Sequence, residues 1–66
     1  MFHFGHKVFF EVARQLSFSK AAEELFMSQP AISKQIKSLE AQYHVGLFER
    51  KGNSIALTVE GKLLFS

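Results

Sequence analysis

Gln29, Pro30, Ser33, Lys34 and Lys37 lie within a stretch of nine residues and among them offer an amide, a hydroxyl and two ammonium groups. If that stretch is helical, Pro30, Ser33, Lys34 and Lys37 share one face and Gln29 sits at its first turn. Amides and hydroxyls pair with the edges of bases, and lysines with phosphates, so the face suits nucleic-acid chemistry. No acidic side chain interrupts it before Glu40, near the expected helix end, which keeps like charges away from a phosphate backbone. A helix starting at Ser28 would add free N–H groups and partial positive charge at the end that enters a groove. Polar residues cover the outer face of every amphipathic helix, so by itself this face also fits a merely soluble surface.

Other chemistry is poorly supplied. The chain contains neither aspartate nor cysteine, which removes a Ser-His-Asp triad and a cysteine nucleophile. Its six acidic residues are glutamates scattered among helix faces. Gly61-Lys62 resembles the end of a phosphate loop, but the earlier glycine would fall at Ala56 and the next residue is Leu63 rather than serine or threonine. His3 and His6 have a spacing that could share a metal on a helix face, yet no third ligand stands near them. No catalytic residue, no metal and no cofactor is expected in this domain. Phe9, Phe18, Phe26 and Phe48 read as core, not as a stacking platform for single strands.

The elements that must position the polar face follow from periodicity. Phe9, Val12, Ala13 and Leu16 form an apolar stripe on a first helix from about His6 to Leu16. Ser17-Phe18-Ser19 breaks it, and Ser19 reads as the cap of a short second helix to about Met27, with Ala22, Leu25 and Phe26 inward. Ser28 caps a third helix, with Pro30 in the first turn where a missing N–H costs nothing and Ile32, Ile36, Leu39 and Tyr43 along its buried side. Leu47-Phe48-Glu49-Arg50 and Ile55-Ala56-Leu57 flank Gly52-Asn53, the pattern of a hairpin. Thr58 caps a last helix through Val59, Leu63 and Leu64 whose apolar pattern still runs at Ser66. The fold class expected is mainly α, a winged helix-turn-helix: three helices, a two-stranded β-hairpin wing and the start of a further helix. Residues 1–58 form the DNA-binding domain in this reading, and 59–66 the truncated start of a helix that continues in a longer parent chain.

Sixty-six residues with 47% apolar character describe one small folded domain, too short to bury a large core unaided and without disulfides to compensate. Its longest apolar runs are three residues, far short of the ~20 that span a bilayer, and no secretory signal opens it. A cytoplasmic location is expected. The net charge of +2 is modest, but it is not evenly spread. Residues 1–27 pair Lys7, Arg14 and Lys20 with Glu11, Glu23 and Glu24, and residues 52–66 pair Lys62 with Glu60. The excess therefore lies in residues 28–51, where Lys34, Lys37, Arg50 and Lys51 oppose Glu40 and Glu49. Arg50 and Lys51 precede the hairpin turn, where a basic wing tip can reach a minor groove or its phosphates.

Phe18-Ser19-Lys20-Ala21-Ala22-Glu23-Glu24-Leu25, Ser28-Gln29-Pro30-Ala31-Ile32-Ser33-Lys34-Gln35-Ile36, Leu39-Glu40, Leu47-Phe48-Glu49-Arg50, and Thr58 with Gly61 together resemble the N-terminal domain of LysR-type bacterial transcription regulators. The resemblance covers nearly all of residues 6–65. It implies a winged helix-turn-helix that binds double-stranded DNA, a long linker helix that pairs subunits into a homodimer or higher oligomer, and a separate C-terminal domain for a small-molecule effector. Carried over by position, it implies that Gln29, Pro30, Ser33 and Lys34 face base edges and that Ser19, Ser28, Lys37 and Arg50 contact phosphate or backbone. Lys51 joins that second set from its place on the wing.

Four departures stand out. Lys34 replaces the arginine of many members and lacks the planar fork that grips guanine at two points. Leu16 and His44 replace glycines suited to ending helices with positive φ, at positions away from the expected DNA face; histidine tolerates that conformation better than leucine, so the first helix is expected to end differently from the usual pattern. Gly46 replaces a proline and should loosen the approach to the wing. Two alternatives remain open: a small helical module that binds protein through exposed Phe10, Phe65 and the last helix, and a winged helix protein of another family. Ser33, Lys34 and Lys37 favour nucleic acid over the first.

Overall fold

The computed structural model describes residues 4–66 of the chain; His3 and Phe2 lie outside them. Among the described residues the elements are α1 (Phe4–Gln15), α2 (Phe18–Leu25), α3 (Gln29–Tyr43), β1 (Phe48–Lys51), β2 (Ser54–Leu57) and α4 (Val59–Phe65). This is the winged helix-turn-helix expected from the periodicity.

The core forms where three apolar stripes meet. Val8, Phe9 and Val12 of α1 and Ile32 of α3 are fully buried, with Ala21 and Ala22 of α2 and Ile36 and Leu39 of α3 beside them. Small alanines on α2 let that short helix approach closely, and each large side chain so buried contributes roughly 1.5–3 kcal/mol. Phe18, Phe48, Ile55 and Leu57 pack against this core from the start of α2 and from the wing. On the outer side of α1, Arg14 and Gln15 both donate to Glu11. The Arg14 hydrogen bond, with that of Gln15, holds the Glu11 carboxyl below its usual range.

Two helices end by the same device. Phe26 N–H donates to the Glu23 carbonyl and Met27 N–H to that of Ala22; His44 N–H donates to Ala41 and Val45 N–H to Glu40. These paired reverse bonds satisfy the last carbonyls and need a left-handed residue at the reversal. Phe26 (φ 56°) and His44 (φ 58°) supply it, and Leu16 does the same after α1 (φ 49°). The inward-turning residues that follow, Met27 and Val45, pack against the core.

Three expectations are corrected here. The cap of α2 is Ser17, not Ser19: its hydroxyl accepts from Lys20 N at 3.1 Å and its backbone is extended. Starting one residue after Ser17 lets Phe18 turn onto the core, which a helix beginning at Lys20 would not require. Phe26 is not core but 96% exposed, because the left-handed reversal takes it off the helical face that its spacing from Ala22 suggested. Tyr43 lies at the rim, half exposed, where its hydroxyl meets His6 Nε2 at 2.8 Å.

The wing is antiparallel, with Phe48 opposite Leu57, Arg50 opposite Ile55 and Lys51 opposite Ser54. Gly52 takes the positive φ of the turn, and the Ser54 hydroxyl donates to the Lys51 carbonyl at 3.0 Å. Thr58 caps α4 by accepting from Gly61 N at 2.9 Å, as its sequence position suggested. Gly46 was expected to loosen the approach to the wing, yet its carbonyl accepts from the Thr58 hydroxyl at 2.6 Å.

Candidate nucleic-acid interface

The outer face of α3 is assembled by its cap. Ser28 Oγ accepts from Ala31 N at 3.2 Å, which fixes where the helix starts and therefore which residues point outward. Gln29, Pro30, Lys34, Lys37 and Ser38 are exposed and Ser33 is half-buried. A hydroxyl that accepts as a cap still has its own proton to donate, so Ser28 and Ser17 can each cap a helix and face an anion.

A groove separates α3 from the wing. At the C-terminal end of α3 it is a cleft of about 150 Å³ lined by Phe18, Ser33, Ile36, Lys37, Glu40, Phe48, Glu49, Arg50 and Ile55. Toward the N-terminus of α3 it opens into about 280 Å³ lined by Leu16, Ser17, Phe18, Ser19, Gln29, Ser33, Arg50, Asn53, Ser54 and Ile55. Ser33 and Arg50 border both parts. The wing thus brings a guanidinium opposite the middle of α3, beside the start of α2 with its hydroxyls Ser17 and Ser19, 3.3 Å apart.

Of the expected site residues, Gln29, Ser33, Lys37, Arg50 and Ser19 line this groove. Pro30 and Lys34 belong to the adjoining open face with Ser33, Lys37 and Ser38. Ser28 is engaged in the α3 cap, and Lys51 is exposed at the end of β1 beside the turn. Sequence reasoning missed Ser17, Asn53 and Ser54, which line the same groove. It also set Leu16 aside from the DNA face, whereas Leu16 borders the groove. Glu40 is not merely at the edge: it lines the cleft, with one carboxylate oxygen taken up by Leu47 N–H at 2.7 Å. Among the described residues no group of three or more histidine, cysteine, aspartate or glutamate side chains is arranged to hold a metal, and His6 is turned toward Tyr43.

A helix pair joined by a tight turn, a polar and basic outer face on its second helix, and a hairpin facing that helix across a groove define a winged helix-turn-helix protein. The match to known proteins makes the class specific. The family model described as bacterial regulatory helix-turn-helix protein, lysR family, matches residues 6–62, and the chain belongs to that family. It is 52% identical over 59 residues to the glycine cleavage system transcriptional activator of Escherichia coli strain K12, an alignment covering 89% of this chain and 19% of that protein. Its fold superposes with a TM-score of 0.90 on a LysR-family transcriptional regulator from Eggerthella lenta DSM 2243, at 41% identity over 97% of this chain and 91% of that one. It superposes equally on the CbnR DBD–DNA complex, with TM-score 0.90 and 37% identity over 98% of this chain and 75% of the other. The chain therefore spans about a fifth of the length of the curated relative. No helix among the described residues is long and apolar enough to cross a membrane.

Proposed function

We propose that the chain is the sequence-reading DNA-binding domain of a LysR-type transcription regulator. The N-terminal half of α3 enters the major groove, where Gln29, Pro30, Ser33 and Lys34 read base edges. Ser19, Ser28, Lys37, Arg50 and Lys51 hold the backbone, and the wing lies on the minor groove or its phosphates. The observation that carries this reading is the shared groove, in which Gln29, Ser33 and Lys37 of α3 face Arg50 of the wing. The DNA complex of CbnR, so similar in fold, supports it. Among the described residues the most exposed large apolar side chains, Phe26, Val59 and Leu63, lie at the turn and on α4 rather than on the outer face of α3, which disfavours a protein-binding role for that face.

In the parent protein, residues 59–66 begin the linker helix that pairs two copies into a dimer or higher oligomer, residues 1–58 form the DNA-binding unit, and a C-terminal domain takes a small-molecule effector. Such a regulator acts in the cytoplasm, where its DNA is. Titration of a labelled pool of random duplexes at low salt tests the reading. The expected result is salt-sensitive binding well above that of a neutral helical protein of equal size; binding no tighter than that control contradicts it.

A further inference from the structure

Leu47 belongs to no helix or strand, yet elements on both sides hold its backbone. Its N–H donates to Glu40 Oε2 of α3 at 2.7 Å, and its carbonyl accepts from Thr58 N at 3.0 Å. The neighbouring Gly46 carbonyl accepts from Thr58 Oγ1 at 2.6 Å, and that oxygen accepts in turn from Gly61 N of α4 at 2.9 Å. Gly61 is buried, and a Cβ on it would stand 2.2 Å from the Leu47 carbonyl oxygen and 2.9 Å from Leu57 Cδ2. The first turn of α4 is therefore seated directly on this backbone, with no room for a methyl group. The Leu47 side chain, 1% exposed, anchors the same point in the core.

The next residue, Phe48, opens β1, and Arg50 and Lys51 follow on that strand. A hairpin of two four-residue strands has little rigidity of its own, so its pose depends on how its base is held. We propose that Glu40, Thr58 and Gly61 are positioning residues for the wing: through the Leu47 backbone they fix Arg50 and Lys51 relative to α3 and tie the pose of the wing to the seat of α4. A tilt of α4 shifts the Leu47 carbonyl and, with it, the start of β1. The helix expected to continue into the rest of the regulator thereby gains a mechanical hold on the wing. The inference rests on the proposed role of Arg50 and Lys51 as backbone contacts.

The test is a set of double-mutant cycles in the intact regulator, on one duplex selected as a tight binder from a random pool. Thr58→Val, Thr58→Ser and Glu40→Ala are each combined with the wing pair Arg50→Ala/Lys51→Ala and, separately, with Gln29→Ala. Circular dichroism confirms folding, and if Thr58→Val does not fold, Glu40→Ala, which leaves Leu47 N–H without its acceptor, carries the cycle. The wing pair should weaken binding about tenfold or more in the parent, as expected for two lost phosphate contacts. In the Thr58→Val and Glu40→Ala backgrounds its effect should shrink to about threefold or less, as coupled sites behave. Thr58→Ser, which keeps both hydrogen bonds, should restore the full wing effect, and the Gln29→Ala loss should be the same in every background. A wing effect unchanged by Thr58→Val and Glu40→Ala overturns the inference while leaving the DNA reading intact, and so does a Gln29→Ala effect that falls in parallel with the wing effect. A wing pair without effect in the parent overturns the role of the wing itself, and the inference with it.

Discussion

Phe26 combines a left-handed backbone with a side chain 96% exposed to water, both of which a glycine would avoid. A side chain forced to positive φ costs more than the ~0.4–1 kcal/mol that separates glycine from alanine in the unfolded chain, so Phe26→Gly should stabilise the domain. Thermal unfolding is expected to rise by a few degrees, on the scale of about 4–8 °C per kcal/mol for a domain of this size. A fall in the midpoint would mean that Phe26 makes a stabilising contact. The residue scale is also where sequence reading fared least evenly. Leu16 was expected to end the first helix differently from the usual glycine, yet it takes the same positive φ, as His44 also does. Phe26 was not legible as a helix end, because helical spacing from Ala22 and Leu25 holds only while the helix continues, and here it stops at Leu25. Ser17 and Ser19 are equal as capping residue types. What separates them is the packing of Phe18 on the core, a tertiary fact.

At the scale of elements, the apolar stripes gave α1 and α3, and Gly52-Asn53 gave the hairpin, because those signals are local. The groove between α3 and the wing was less legible. That Arg50 borders the same cleft as Ser33 depends on how the hairpin folds back, which no spacing reports. Strand β1 begins at Phe48, because the backbone of Leu47 is already committed to Glu40 and Thr58. Leu47→Ala should therefore cost about 2–5 kcal/mol, as for a buried leucine, measured by urea unfolding. A cost below about 1 kcal/mol would show that the base of the wing does not contribute to the cooperative core. Gly61→Ala should be at least as damaging, since the added methyl meets backbone rather than a flexible side chain.

For the whole molecule, α4 carries Val59 and Leu63 outward, each 72% exposed, while Phe65 folds back onto α1, with its ring 5.8 Å from that of Phe10. The two aromatic side chains the sequence offered as a protein-binding surface, Phe10 and Phe65, thus pack against each other and against Phe9 and are only partly exposed. The outward residues fit a helix that pairs with a second copy when extended. Residues 1–66 alone should sediment as a monomer or weak dimer, and the same domain with about six further helical turns as a stable dimer. An extended protein that stays monomeric would remove the linker-helix assignment.

In the proposed docking one helix face reads sequence while charged groups beside it hold the backbone. Binding of Gln29→Ala, Ser33→Ala, Lys34→Ala, Lys37→Ala and Arg50→Ala to a selected operator and to random duplex, across a salt series, tests it directly. Gln29→Ala should leave the slope of log affinity against log salt nearly unchanged and reduce discrimination by about 1–3 kcal/mol, with Ser33→Ala losing less. Lys37→Ala and Arg50→Ala should each flatten the slope by about one unit and weaken operator and random DNA alike. Lys34→Ala should reduce discrimination and flatten the slope together. If Gln29→Ala and Ser33→Ala instead weaken operator and random DNA equally, the outer face of α3 does not read sequence.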